Sequence, residues 1–262
     1  MEEHIIEVLK QIEKEYEVRI LYACEVGSRT WGVSSEVSDY DVRFIYIHKT
    51  DWYLSIDQKR DVLEIPKHEK VNIPLDPIVD MSGWELTKAL RLLRKSNPGL
   101  LEWLHSNIIY TQTYSFVAKM QQLEPLIFSP NACIYHYVKM AKGNFKTIRE
   151  KEPNIKTYIN VIRPLLMAKY IQKYNRMGNL DMNSLIKELL PNGVLKTNIE
   201  NIMKLKSTGE NVKKQNLLID TFIDEQFTDL KHYVSKHKHN IPNPTPQLNQ
   251  LFRETLSKAW DN

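Results

Sequence analysis

Cysteine is nearly absent from this sequence: 262 residues contain two thiols, Cys24 and Cys133. Two thiols cannot build a disulfide framework, and without a Cys-x-x-Cys pair there is no start for a cysteine-based zinc site. Glycine and proline are sparse as well, at 8 and 12 positions, which excludes collagenous and low-complexity chains. No apolar run approaches the roughly 18 residues that a membrane span requires. The opening Met1-Glu2-Glu3-His4 is acidic where a secretory signal carries basic residues. These absences lead us to expect a cytoplasmic protein in a reducing compartment, off the membrane, with no obligate protein partner evident. One further absence concerns a single side chain. Gly27 and Gly32 have the spacing that opens a P-loop, but Val33 stands where that motif needs its phosphate-binding lysine, so a P-loop ATPase is excluded.

What is present is an ordinary globular composition, 42% hydrophobic and 26% charged, in a chain long enough for one large domain or two small ones. The net charge of +4 is unevenly spread. Residues 1–100 carry 14 Lys/Arg against 18 Asp/Glu, whereas 131–178 carry ten basic residues against Glu150 and Glu152 alone. Helical spacing of Ile5, Ile6, Leu9 and Ile12 predicts an opening helix over 2–16, and β-rich runs predict strands at 18–26, 41–48, 61–65 and 75–81. Ser82 followed by Glu85 reads as a capping box for a helix carrying Leu86, Leu90 and Leu93. Beyond it the pattern is helical, at 129–149, 155–174, 182–190 and 221–236, with Pro153 and Asn192-Gly193 as breaks and 240–246 as a short linker before a last helix. The expected organisation is α+β over 1–110, followed by a helical, basic unit over 111–262.

Chemistry concentrates in 27–44, where GSRTWGVS is followed by SDYDVRF. Gly27 permits close backbone approach to a phosphate, Ser28 adds a hydroxyl, and a short helix beginning there would present unpaired amides to an anion. Asp39 and Asp41 are two apart on an extended segment and so share a face. Adjacent carboxylates repel unless a cation joins them, and hard divalent ions prefer such oxygen ligands. A two-metal site needs a further carboxylate, for which Asp80 is best placed, with Asp76 and Glu64 as weaker candidates. Arg29 can reach phosphate, Trp31 can stack on a base or pack into the core, and Arg43 can reach substrate or neutralise an acid. Cys24, among apolar neighbours, reads as buried and inert. The basic run Lys236-His237-Lys238-His239 reads as a solvated helix end.

Gly-Ser, ten residues, then Asp-x-Asp with apolar neighbours resembles the nucleotidyltransferases of the DNA polymerase beta superfamily. The longer agreement, GSRTWG with SDYDVRF, then DMSGWELTKALRLLRKSNPGLLEWL, YHYVKMAKGNF and YINVIRPLLMAKY, is similar to the YcgL-type nucleotidyltransferases in particular. The resemblance implies a polymerase-beta-like mixed sheet with flanking helices, followed here by a helical C-terminal domain. It also implies transfer of a nucleoside monophosphate from an NTP, dependent on Mg²⁺ or Mn²⁺, with pyrophosphate as product. Gly27 and Ser28 would then bind triphosphate, and Asp39, Asp41 and Asp80 would hold metal and act in catalysis. Arg29, Ser38, Lys139, Lys156 and Arg163 complete the expected nucleotide-binding set. The acceptor is left open among an RNA end, a small alcohol and a protein hydroxyl; a non-catalytic RNA-binding module that keeps the fold is the alternative.

Overall fold

Eleven helices and five strands are seen in a computed structural model that describes residues 1–150, 154–178, 181–208, 216–237 and 242–261. The Pro153 break, Lys238, His239 and the start of the 240–246 linker lie outside the described residues. Helix α1 (Glu2–Glu15) leads into β1 (Val18–Val26) and β2 (Tyr40–His48); a single turn, α2 (Thr50–Tyr53), precedes β3 (Val62–Ile65) and β4 (Val79–Glu85). Two short helices, α3 (Leu86–Arg94) and α4 (Pro98–Leu104), lead to β5 (Ile109–Gln112). The remainder is helical: α5 (Phe116–Ile127), α6 (Pro130–Glu150), α7 (Ile155–Tyr174), α8 (Met182–Leu189), α9 (Val194–Ser207), α10 (Leu217–Lys236) and α11 (Thr245–Trp260). No helix among the described residues is long and apolar enough to cross a membrane.

The sheet order is β3-β4-β2-β1-β5, with β2 and β4 parallel and every other pair antiparallel, so the expected α+β mixed sheet with flanking helices is what the chain forms. Alternation along the strands supplies two apolar faces. Ile20, Ala23, Val42, Phe44 and Tyr46 pack with Ile5, Val8, Leu9 and Ile12 of α1. A register shift between Ile20 and Tyr22 turns Leu21 and Tyr22 together toward the other face. There they join Cys24, Ile45 and Ile47 in a core that continues through α3–α7 to Ile223 of α10 and Leu251 of α11.

The strand expected over 75–81 starts later. Asp76 makes a turn, its carbonyl accepting from the Val79 amide (2.9 Å) and its side chain from the Ile78 amide (3.0 Å). The Ser82 cap does not form either. β4 stays paired with β2 as far as Glu85 opposite Tyr46, and Glu85 itself caps α3 by accepting from the Thr87 and Lys88 amides. Extension here is enforced by packing, because Phe44 lies so close over Gly83 that an added Cβ would come within 2.1 Å of its ring. Gly83→Ala is therefore expected to cost about 1–3 kcal/mol through overpacking, read as a lower thermal midpoint.

Candidate active site

β1 is followed by Gly27, whose φ of +74° is the left-handed region that only glycine adopts cheaply. The next residues form consecutive turns rather than the expected helix: the Trp31 amide donates to Gly27 O (3.1 Å), Val33 to Ser28 O (3.0 Å) and Gly32 to Arg29 O (3.3 Å). The segment is too short, and has a glycine at positive φ at each end, to propagate a helix. None of the described residues accepts from the amides of Ser28, Arg29 or Thr30.

Asp39 lies just before β2 and Asp41 within it, and both line one cavity of about 220 Å³ together with Gly27, Ser28 and Ser38. Approach is tight: a Cβ on Gly27 would stand 2.3 Å from Asp41 Oδ2. Opposite this wall, Lys156 and Asn160 of α7 and Lys206 of α9 complete the cavity. Burial raises the Asp41 pKa, and the neighbouring charges of Asp80 and Asp39 push it the same way, while Arg43 and Lys156 pull it down. Asp80 pairs in register with Asp41 across the parallel β2–β4 ladder, which places its side chain on the same side. Arg43 fills the space between them, with Nη1 2.8 Å from Asp80 and Nη2 3.3 Å from Asp41. The other candidates for a third carboxylate are engaged elsewhere, Asp76 in its turn and Glu64 in a 2.8 Å ion pair with Arg60.

Of the remaining expected nucleotide contacts, Ser38 and Lys156 line the cavity and three do not. Arg29 turns back to brace the acidic loop: it donates to Ser38 O (2.7 Å) and Asp39 O (3.1 Å), and its guanidinium lies 3.6 Å above the Tyr40 ring. Arg163 sits one layer behind, stacked on Trp31 and paired with Glu102. Lys139 is exposed on α6, away from the cavity lining. The basic stretch is also less available than its composition suggests. Arg149 pairs with Asp224 (2.6 Å), Lys173 with Glu188 (3.2 Å) and Lys146 with Glu150 (3.5 Å), while Lys169 donates to Gln226 (2.8 Å). Cys24 is buried and its thiol is pushed up to about 12 by desolvation, which makes it inert as expected.

Two features were missed in the sequence. Lys206 comes from α9, where Leu195, Ile199, Ile202 and Met203 carried an unread helical periodicity. Glu25 is fully buried on β1, and its carboxylate accepts from the Asp41 amide (2.8 Å) and the Tyr110 hydroxyl (2.6 Å). Desolvation raises its pKa. A carboxyl whose folded pKa is raised contributes stability below its ordinary value of about 4.3, and that contribution is lost as pH rises through the folded value. Glu25→Gln keeps an acceptor for the Asp41 amide and removes the buried charge. Its thermal midpoint relative to wild type should rise between pH 4 and neutrality, and a flat difference would contradict the assignment.

A mixed sheet that carries a glycine–serine turn and two aspartates into one cavity is the arrangement expected of a nucleotidyltransferase of the DNA polymerase beta superfamily. Within that class, residues 1–254 match the RNA repair pathway DNA polymerase beta family, RlaP, and the chain belongs to it. It is 39% identical over 263 residues to the uncharacterized protein YcgL of Bacillus subtilis (strain 168), covering 99% of this chain and 98% of that one, as the YcgL-type resemblance led us to expect. A solved nucleotidyltransferase-like protein from Exiguobacterium sibiricum 255-15 aligns over 97% of this chain and 80% of its own, at 10% identity and a TM-score of 0.29, a likeness too slight to bear on the argument.

Proposed function

We propose that the protein transfers a nucleoside monophosphate from an NTP to a hydroxyl at an RNA end, in a reaction that depends on Mg²⁺ or Mn²⁺. The observation that carries this reading is that Asp39 and Asp41 line the same cavity as Gly27 and Ser28, at a turn whose Ser28, Arg29 and Thr30 amides have no acceptor among the described residues. In this reading residues 1–110 form the catalytic unit and 111–262 the substrate-binding unit, whose Lys156 and Lys206 reach the cavity.

The donor set suits the metal. Carboxylate and hydroxyl oxygens are hard ligands, and the upward push on Asp41 is relieved by a cation. Among the described residues no group of three or more His, Cys, Asp or Glu is arranged to hold an ion, and the Arg43 guanidinium pairs with both Asp41 and Asp80. Asp39 and Asp41 would hold the metal, and Asp80 would join them once Arg43 gives way. When bound, the ion supplies Lewis-acid stabilisation of charge on the phosphates and a lower pKa for the attacking hydroxyl. The chain does the positioning. Ser28 and the adjacent amides hold the triphosphate, and Lys156 and Lys206 neutralise it from the opposite wall. The acceptor oxygen bonds to the α-phosphorus, the bond from that phosphorus to the bridging oxygen breaks, pyrophosphate leaves with the electron pair, and the hydroxyl proton passes to solvent.

The RNA acceptor is supported by the family's description as belonging to an RNA repair pathway and by Tyr135, Lys139 and Met140, which lie exposed on α6. The test is incubation with each α-labelled NTP, Mg²⁺ and RNA of defined ends. Label should enter the RNA with release of pyrophosphate, and RNA affinity should fall about tenfold or more between 50 and 200 mM salt. Label found on a small molecule or protein from added extract would overturn the acceptor, and RNA binding without any label transfer would overturn the enzyme.

A further inference from the structure

Arg163 is 3% exposed, yet it spends its hydrogen-bonding capacity poorly. Nη1 meets Glu102 at 3.1 Å, and Glu102 also accepts from the Tyr137 hydroxyl at 2.6 Å. Arg163 Nε and Nη2 are buried without a hydrogen-bond partner among the described residues. What the guanidinium does contact closely is the Trp31 ring, 4.1 Å from its centre, and Trp31 Nε1 is likewise buried with no partner among the described residues. For stability alone, an apolar side chain in place of a half-satisfied buried ion pair serves as well or better. The arrangement is therefore explained by what it places rather than by what it stabilises.

Trp31 belongs to the turn that carries Gly27 and Ser28, and it is the member of the stack that borders the cavity. Its amide donates to Gly27 O, and its carbonyl accepts from the Met182 amide (3.0 Å) at the start of α8. Gly27 and Gly32, at φ of +74° and +69°, bound the turn at both of its ends. The guanidinium reaches this turn from α7 and is anchored in turn by α4 and α6 through Glu102 and Tyr137.

We propose that Arg163 is a positioning residue that never touches the nucleotide: by clamping the Trp31 indole, it sets the glycine–serine turn at its distance from Asp39 and Asp41. The inference rests on the nucleotidyl-transfer reading only in what the turn is for, and the first readout of its test is independent of turnover. Hydrogen exchange of the nucleotide-free protein should show the Trp31, Gly32 and Val33 amides exchanging about tenfold faster in Trp31→Leu and in Arg163→Lys, which keeps the charge and loses the flat stack. Trp31→Phe, which keeps a ring face, should recover most of the protection. In turnover assays, KM for NTP should rise about tenfold in Trp31→Leu, with kcat changing by less than KM.

Unchanged exchange in both Trp31→Leu and Arg163→Lys would overturn the proposal. So would a rise in KM for Arg163→Lys without faster exchange, which would make Arg163 a nucleotide contact. Faster exchange in Trp31→Leu and Arg163→Lys, with a wild-type protein that turns over no NTP, would instead leave the clamp standing and remove the catalytic reading. If Arg163→Lys does not fold, the Trp31→Leu and Trp31→Phe pair decides the matter alone.

Discussion

Asp41→Asn is expected to cut nucleotidyl transfer by about a thousandfold or more while leaving the protein folded and somewhat more stable than wild type. Losing a carboxylate that holds the catalytic ion removes several kcal/mol of transition-state stabilisation, and about 4 kcal/mol is already a factor of a thousand. Stability should move the other way. Burial and the charges of Asp80 and Asp39 raise the Asp41 pKa, so its ionised form is strained in the folded protein. That strain is absent below the ordinary aspartate value of about 3.9 and grows as pH climbs through the raised folded value. Asn is neutral throughout and still offers Arg43 a carbonyl oxygen, so its gain in thermal midpoint should be largest near neutrality and vanish in acid. Full turnover in the variant, or a collapsed fold, would contradict the assignment of Asp41.

Gly27→Ala attacks the same site from the backbone side. Alanine at φ +74° costs about 1–2 kcal/mol, and its methyl would sit 2.3 Å from Asp41 Oδ2, so either the turn or the carboxylate must move. Displacement of about 1 Å at a positioned reacting group is worth roughly a hundredfold in rate. The expected result is a loss of turnover of that order, together with a drop of several degrees in thermal midpoint. Activity and stability fall together here, whereas Asp41→Asn separates them. A Gly27→Ala protein with wild-type turnover would show that the turn and the acid need not be in contact.

The elements that position the site were legible because they are long or strongly patterned. VRILYACEV reads as a strand in any context and forms β1, and DVRFIYIH forms β2 with one residue added at its start. The aspartate pair was found from its spacing; Asp41 lies in β2, Asp39 lies just before it, and both line one cavity. Errors arose where tertiary contacts override local chemistry. Ser82 and Glu85 make a plausible capping box in isolation, but pairing with β2 and the Phe44 ring over Gly83 hold the segment extended. The short edge strand β5 carries no alternation of burial to read, and α5 includes Pro125, which argues against a helix on sequence grounds. Arg29 was read as a phosphate ligand from its place in the glycine–serine turn, and Arg163 as a nucleotide contact from its basic helical segment and the family resemblance. Their partners, Tyr40 with the Ser38 and Asp39 carbonyls for the first and Trp31 with Glu102 for the second, are set by packing that no spacing rule encodes.

The most direct test is anomalous diffraction from crystals of the full chain soaked with Mn²⁺ and a non-hydrolysable NTP. We predict manganese within coordination distance of both Asp39 and Asp41, the triphosphate on the Gly27–Ser28 turn, and Arg43 withdrawn from Asp41. Nucleotide bound elsewhere, or Arg43 still bridging Asp41 and Asp80 with no metal beside them, would contradict it.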